Sequence, residues 1–536
     1  MSEPSTAEHP PDNSPWYAGV TRYQWLVLAI ASAGWVFDVF EGQLFVIYKT
    51  PAMAEVLGVD KSTEAGKSAI DAWSNYALSS FLLGGALGGL VFGMLADKIG
   101  RQKSMIWSIA VYSVFTAMHY WVIDAWQIVA LRFFVAMGVG GEWAIAASLV
   151  SEVFPKRART AAGGIFHASS ALGAVFASLC GKLLTESDWR MAFLIGLAPA
   201  LLIVWIRASL QESEKWQAVQ SKPSADGPPP GSLRELLTKA GLRKNALIGL
   251  CLASIGLGTY WGIYAWGPEL VRLVLTEDVD SLSGEELDQR VVRVMTPHID
   301  ESIFKNQEKP VLTGMTESQI TIWKVLARLA GEVDETSLAM RPIKDNEKLL
   351  TDTVTAIENK AGREKLDPLY RELARSELGS AYRASMGSSA YLWMNFTGGL
   401  LGLLCFAPLA TYTSRRMAFA VYHVGALILA PATFLLAGSY EVSVVLLSVM
   451  AFFVVGMHAG YAIYFPELFP TRLRATGASF CFNVARLVSA VVIVGRIPLR
   501  AELGLREAVS VMALLFALGL IAIAFAPETR DTELAD

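Results

Sequence analysis

Apolar stretches recur along the chain, each close to the roughly 20 residues an α-helix needs to cross a hydrocarbon core of about 30 Å. Six lie in the first part, at 23–48, 73–96, 104–122, 126–152, 162–184 and 190–207. Six more follow, at 244–272, 389–412, 415–437, 441–466, 474–497 and 507–526. The pattern predicts an all-α membrane protein, with twelve transmembrane helices in two six-helix repeats and an inserted small helical exterior domain. Residues 1–22 read as a cytoplasmic tail without a cleaved leader, 23–207 as the first half and 208–243 as a cytoplasmic linker. Helix 7 occupies 244–272, the insertion 273–388, helices 8–12 residues 389–526, and a cytoplasmic tail 527–536.

The insertion breaks the apolar pattern. In it 36 of 116 residues are charged, and no run is long enough to span. Apolar residues at helical spacing (Ile322, Val325, Leu326 and Leu329) predict a helix over Thr316–Ala330, with Thr316 and Gln319 as a capping box. A second helix is expected over Asn346–Ile357.

Composition agrees with burial in lipid. Hydrophobic residues make up 53% and charged residues 18% of the 536 positions, and mean hydropathy is +0.41. A net charge of −4 without a basic tract excludes a nucleic-acid binder. Cys180, Cys251, Cys405 and Cys481 sit in apolar runs without C-x-x-C spacing, so they read as packing residues rather than a metal or disulfide framework. Lys and Arg cluster in the loops after helices 2, 4, 8 and 10 and are missing from 122–125 and 438–441, which places both termini in the cytoplasm of a plasma or inner membrane. Arg500 and Arg506 are an exception that does not reverse the count.

The halves repeat. Glu-Val-Phe-Pro-Lys-Arg-Ala-Arg at 152–159 matches Glu-Leu-Phe-Pro-Thr-Arg-Leu-Arg at 467–474 in five of eight positions, at an offset of 315. Leu95, Ala96 and Arg101 match Leu409, Ala410 and Arg415 at 314. Duplicated six-helix halves are one of the transporter architectures. Gly93-Met-Leu-Ala-Asp97-Lys-Ile-Gly100-Arg101 resembles the loop signature of the major facilitator superfamily. Arg132 with Gly138-Val-Gly-Gly-Glu142 resembles the helix 4 motif of its proton-coupled members. Glu152…Arg159, Glu467…Arg474, Gln211-Glu-Ser213 and Pro527-Glu-Thr529 resemble charge motifs of the sugar-porter-like branch. The resemblance covers all but 273–388, and it implies secondary active transport by alternating access.

Three groups of residues carry the candidate chemistry. Asp97, Gly100, Arg101, Glu152, Arg159 and Glu212 in the first half, with Arg415, Glu467, Arg474 and Glu528 in the second, form a candidate cytoplasmic gate. Topology-determining basic residues would explain the arginines but not the recurrent acids; Thr411 stands where the second copy lacks the acid of Asp97. Ionisable residues inside membrane helices are costly unless paired or hydrated, so Asp38, Glu41, Arg132 and Glu142 are proton-coupling candidates. Asp38 and Glu41 are placed at a depth matching Arg132, as a titrating carboxylate facing a guanidinium or, for Asp38–Arg132, as a structural pair; the helix 1 acids resemble those of organic-anion and phosphate proton symporters. Arg486 and Asn483, with Tyr260, Tyr264, Tyr391 and Asn395, are candidate solute contacts; Arg486 could equally pair with Glu142 or another acid of the bundle, and some of the aromatics belong to the interfacial belt or to packing. His167, His423 and His458 read as hydrogen-bonded packing residues.

The sequence therefore predicts a proton-coupled transporter of a small organic anion, with the lipid bilayer, the solute and protons as partners. It predicts no metal, cofactor, enzyme activity or nucleic-acid partner, a monomer as the working unit, and a possible exterior partner at 273–388. A sugar is the second candidate solute, although helix 7 lacks the Gln-Gln pair and Asn of sugar porters. A nutrient sensor reading its ligand through the exterior domain is a third reading.

Overall fold

The computed structural model describes residues 15–61, 63–184, 188–221, 228–295, 347–376 and 379–534. The expected helix at Thr316–Ala330 lies outside them. The first half holds α1 (Arg22–Leu57), α2 (Glu64–Ile99), α3 (Arg101–Met118), α4 (Ala125–Val153), α5 (Lys156–Ala168), α6 (Ser170–Leu183), α7 (Trp189–Ile195) and α8 (Ala200–Ser209). The linker forms α9 (Glu214–Ser221) and α10 (Leu233–Thr238). Then come α11 (Ala240–Gly262), α12 (Gly267–Glu277), α13 (Gly284–Met295), α14 (Glu347–Glu358), α15 (Arg363–Arg375) and α16 (Ser380–Met394). The chain ends with α17 (Leu400–Tyr412), α18 (Arg415–Leu436), α19 (Tyr440–Glu467), α20 (Arg474–Ser479), α21 (Ala485–Leu503), α22 (Leu505–Ala513) and α23 (Leu515–Phe525).

Eleven helical segments of the described residues are long and apolar enough to cross a membrane. The twelfth span of the sequence pattern is α3, only 18 residues long and rich in Ser, Thr, Gln and Lys. Its polar face is buried, as shown below. Apolar side chains such as Leu83, Leu87, Val91, Leu201, Val204 and Ile521 are exposed on the outer helix surfaces. Those surfaces meet lipid, where exposure of leucine is favourable. This is a multi-pass membrane protein.

The chain divides into two compact units. One comprises 1–264, 395–431 and 449–536. Within it α4 packs on α1, α2 and α3, while α11 packs on α21 and α23. The halves meet where α2 packs on α20 and α21, and where α5 packs on α17. Glycines allow these approaches: a Cβ at Gly88 would stand 2.1 Å from the Met137 carbonyl oxygen, and one at Gly84 2.1 Å from that of Phe133. Both chain ends lie at the same end of this unit. The Tyr464 hydroxyl donates to the Pro527 carbonyl at 2.6 Å, and the Gln24 amide to that of Val153 at 2.9 Å.

The other unit comprises 265–394 and 432–448. Its helices bury one face each, including Leu287, Val291, Leu350, Tyr370 and Leu373. Arg363 grips the buried Asp288 carboxylate at 2.7 and 2.5 Å, and Arg290 grips Asp278 with two bonds of 2.9 Å. The helix α14 stands where 346–357 was expected. Helical structure continues past residue 272 through α12, whose Val274 and Leu275 are buried. Arg375 reaches back to the Thr276 carbonyl and pairs with Asp280, so the two ends of the charged segment lie side by side. Replacing 283–378 by a short Gly/Ser linker closes that gap at little loop-entropy cost. The expected outcome is a protein that inserts and takes up solute in vesicles within a few-fold of the parent; a folded product without uptake would make the insertion part of the cycle.

Candidate functional site

Two buried clusters of charge define the first unit. The deeper one lies inside the helices. Asp38 on α1 and Glu142 on α4 are 2% and 0% exposed, and Arg486 on α21 is half-buried, in a region of apolar side chains. The carboxyls of Asp38 and Glu142 are neighbours, and the Arg486 guanidinium acts on Asp38. Among the described residues none hydrogen-bonds any of the four carboxylate oxygens or Arg486 Nη1. Missing side chains make the room. A Cβ at Gly34 would stand 2.1 Å from Glu142 Oε1, and one at Gly85 2.5 Å from Arg486 Nη1.

The backbone around Arg486 is also unusual. Phe480–Val484 forms a π-helical turn that ends just before α21. It turns Asn483 toward α4, where Nδ2 donates to the Gly140 carbonyl at 3.0 Å, leaving Oδ1 unbonded. Such turns within helices concentrate at functional sites. A second one, Asn395–Gly399, holds Asn395. Tyr260 stacks on Tyr264 at 4.9 Å and meets His458 edge-on at 5.6 Å. Tyr391 belongs to the other unit.

Arg132 does not meet Asp38. Its Nη1 pairs with Glu41, one helical turn further along α1, and its guanidinium lies 4.4 and 4.3 Å over the rings of Phe45 and Phe81. The expected Asp38–Arg132 pair is therefore replaced by Glu41–Arg132, and Asp38 is left to Glu142. Residues three apart on a helix differ by only about 4.5 Å in height, which depth counting does not resolve.

The second cluster closes the end that carries both termini. Arg101 donates to Glu152 at 2.7 and 3.3 Å, to the Ala96 carbonyl at 2.7 Å and to the Thr471 carbonyl at 2.9 Å. Arg415 donates to Glu467 at 3.0 and 3.1 Å, to the Ala410 carbonyl at 3.0 Å and to Thr160 Oγ1 at 2.6 Å. Glu212 caps the α3 N-terminus through the Arg101 and Gln102 amides, as Glu528 caps α18 through those of Arg415 and Arg416. Gly100, at φ +109°, leaves space for Glu212; a Cβ there would stand 2.1 Å from Oε1. Burial pushes Glu212 above the ordinary glutamate range. Burial pushes Glu528 the same way, but the amides of Arg416, Arg415 and Arg530 outweigh it and hold that carboxyl below the range.

These contacts cross between halves. Asp97 accepts from the Ala475 and Thr476 amides at 3.2 and 2.9 Å and from Thr476 Oγ1 at 2.6 Å, at the start of α20. Arg474 donates to Glu152 of the first half at 3.0 Å. Arg159, expected beside Glu152, stands instead among Glu467, Glu533, Arg474 and Arg415. Each half thus completes the other's cluster. In the second copy Thr411 bonds its own Ala407 carbonyl, so the helix-start contact made by Asp97 has no carboxylate counterpart there.

Sequence reading missed the hydroxyls of this lock. Ser213 Oγ donates to Glu152 at 2.5 Å and Thr529 Oγ1 to Glu467 at 2.6 Å. Both follow an acid in their motifs, the one signal for them. Trp143 Nε1 donates to His167 Nδ1 at 3.1 Å, which makes that nitrogen an acceptor and His167 a packing residue.

Matched charge clusters thus stand on the duplicated halves of a helical bundle, with an acid pair buried inside it. The sequence profile of the Major Facilitator Superfamily matches residues 25–282. The sialic acid transporter NanX of Escherichia coli is 31% identical over 38% of this chain and 47% of its own length. A probable 4-methylmuconolactone transporter of Cupriavidus pinatubonensis is 28% identical over 48% of this chain and 58% of its own. The alignments span about half the length of these relatives. Among solved structures, the E. coli fucose:proton symporter FucP aligns with 96% of this chain and all of its own at a TM-score of 0.57 and 12% identity. The proton:xylose symporter XylE aligns with 96% and 98% at 0.57 and 13% identity.

Proposed function

We propose that the protein is a proton-coupled symporter of small organic anions, with both termini in the cytoplasm of the inner membrane and the monomer as the working unit. The observation that carries this reading is the trio Asp38, Glu142 and Arg486, buried with its acceptors unfilled. Two adjacent carboxylates in a water-poor site cannot both hold charge cheaply, so together they carry one proton. Arg486 then balances the remaining charge. When the proton arrives, Asp38 no longer needs the guanidinium, and an incoming carboxylate takes it with a charge-assisted bond. When the proton leaves, Asp38 reclaims Arg486 and the anion is expelled. The relative named for sialic acid supports an anionic solute.

Alternating access supplies the rest. The lock described above is made at the terminal end, so the solute enters from the other side and leaves when the lock opens. The test is uptake of sialic acid, gentisate and cis,cis-muconate into proteoliposomes with and without an inward proton gradient. At least one should accumulate against its gradient only when protons are driven inward. Accumulation of xylose or fucose and no acid, or uptake indifferent to the proton gradient, would overturn the reading.

A further inference from the structure

The proton needs its own way to Asp38, and α3 offers one. Ser104, Ser108, Tyr112 and Thr116 recur every fourth residue on one helical face, and His119 closes the row; all five are fully buried. Residues at this spacing lie above one another, about 6 Å apart along the axis. The Ser108 hydroxyl donates to the Gly138 carbonyl at 2.6 Å, which seats the row against α4. Tyr112 Oη and His119 Nε2 have no hydrogen-bond partner, and neither has Glu41 Oε2. Unpartnered buried polar groups cost about 1–3 kcal/mol each, so three along one line call for a reason.

Their neighbours give the line a direction. The charged groups around Tyr112 are Asp38 and Glu41 of α1 and Glu142 of α4. Thr116 stands beside Glu41, and His119 beside Arg132 of α4. His119 Nδ1 lies 3.0 Å from the Phe115 carbonyl, so that nitrogen carries the hydrogen and Nε2 presents a lone pair. The row ends in the turn His119–Trp121, whose Trp121 is 66% exposed at the end away from the termini. The main packing partners of α3 are α2, α4, α7 and α8, all in the first half. The row is thus behind α4, away from the surface where the halves meet.

We propose that this buried row is a proton route separate from the solute path, entering at His119 and ending at Asp38–Glu142, with Tyr112 as the relay residue. The proposal rests on the proton-coupled reading above. In the relay step the Tyr112 oxygen accepts a proton from the Glu41 side while its own hydroxyl proton passes to the Asp38–Glu142 pair. One O–H bond forms as another breaks, and the tyrosine ends unchanged. Thr116 serves Glu41 as a donor and acceptor in the same way. A route apart from the solute lets the proton reach the acid pair whether or not the solute site is filled.

The test compares Tyr112→Phe and Thr116→Val with Asp38→Asn in proteoliposomes, using the acid identified in the uptake panel. Both hydroxyl deletions should lower proton-driven uptake at neutral external pH by at least about tenfold. Solute exchange without a gradient should stay near the parent rate, which reports correct folding, and acidifying the outside should restore part of the uptake. A merely structural hydroxyl would show no such pH rescue. Parental uptake and pH profile in both hydroxyl variants, with Asp38→Asn uncoupled, would overturn the α3 route alone. Accumulation by Asp38→Asn would overturn the coupling reading, and the route with it.

Discussion

Replacing Asp38 by Asn should cut accumulation of solute against its gradient by about 100-fold or more while exchange across the membrane persists. Asn keeps the shape of the side chain but neither takes up nor releases a proton. The pair with Glu142 then loses the group that exchanges Arg486 with the solute. Glu142→Gln should weaken coupling too, because the remaining carboxylate of Asp38 keeps Arg486 without an acid neighbour to share a proton. Glu41→Gln acts at a different point: it removes the partner of Arg132 and the carboxylate on the route, while Asp38, Glu142 and Arg486 stay in place. Uptake and exchange measured on the same vesicles decide the matter. Accumulation by Asp38→Asn at the parental level would remove Asp38 from the coupling site.

The second large effect is expected at the lock. Glu152 is fully buried at the side chain and bonded to both Arg101 and Arg474, whose side chains are also fully buried. Glu152→Gln leaves Arg474 without that carboxylate and Arg101 with Asp97 alone, at 2.9 Å; an unpaired buried charge costs about 3–5 kcal/mol. That cost falls on the closed arrangement alone, because opening lets water solvate the arginines. A difference of this size shifts a two-state population by more than tenfold. A cysteine placed at Ser148, one turn inward on α4 and buried in this structure, reads the shift. In a background lacking the four native cysteines, its labelling by a maleimide should rise about tenfold or more in Glu152→Gln. Unchanged labelling in a folded variant would show that Glu152 does not hold the end closed. Thr411→Asp tests the other direction, since a carboxylate there could engage the start of α5 and slow opening.

Some of this protein was written in local patterns. Spans, repeat and charge motifs are readable because lipid demands about 20 apolar residues per crossing, whatever the neighbouring helices do. The charged residues of the lock were legible as candidates for the same reason: its acids and arginines stand at polar helix ends, outside the apolar runs. Asp38, Glu41, Glu142 and Arg486 were visible because an ionisable residue inside such a run stands out against its surroundings. Which charge meets which was decided only in three dimensions. Helix rotation and register gave Arg132 to Glu41 rather than Asp38, and sent Arg474 across to Glu152 while Arg159 went to the other cluster. The space for the acid pair depends on Gly34 and Gly85 meeting Glu142 and Arg486, contacts between segments far apart in the chain. The row on α3 lies in a segment that the sequence pattern counts with the other apolar spans, and became a candidate route once α1 and α4 placed their carboxylates beside it. A linear pattern records what each segment tolerates around it; partners depend on rotation and approach, which packing of distant segments sets.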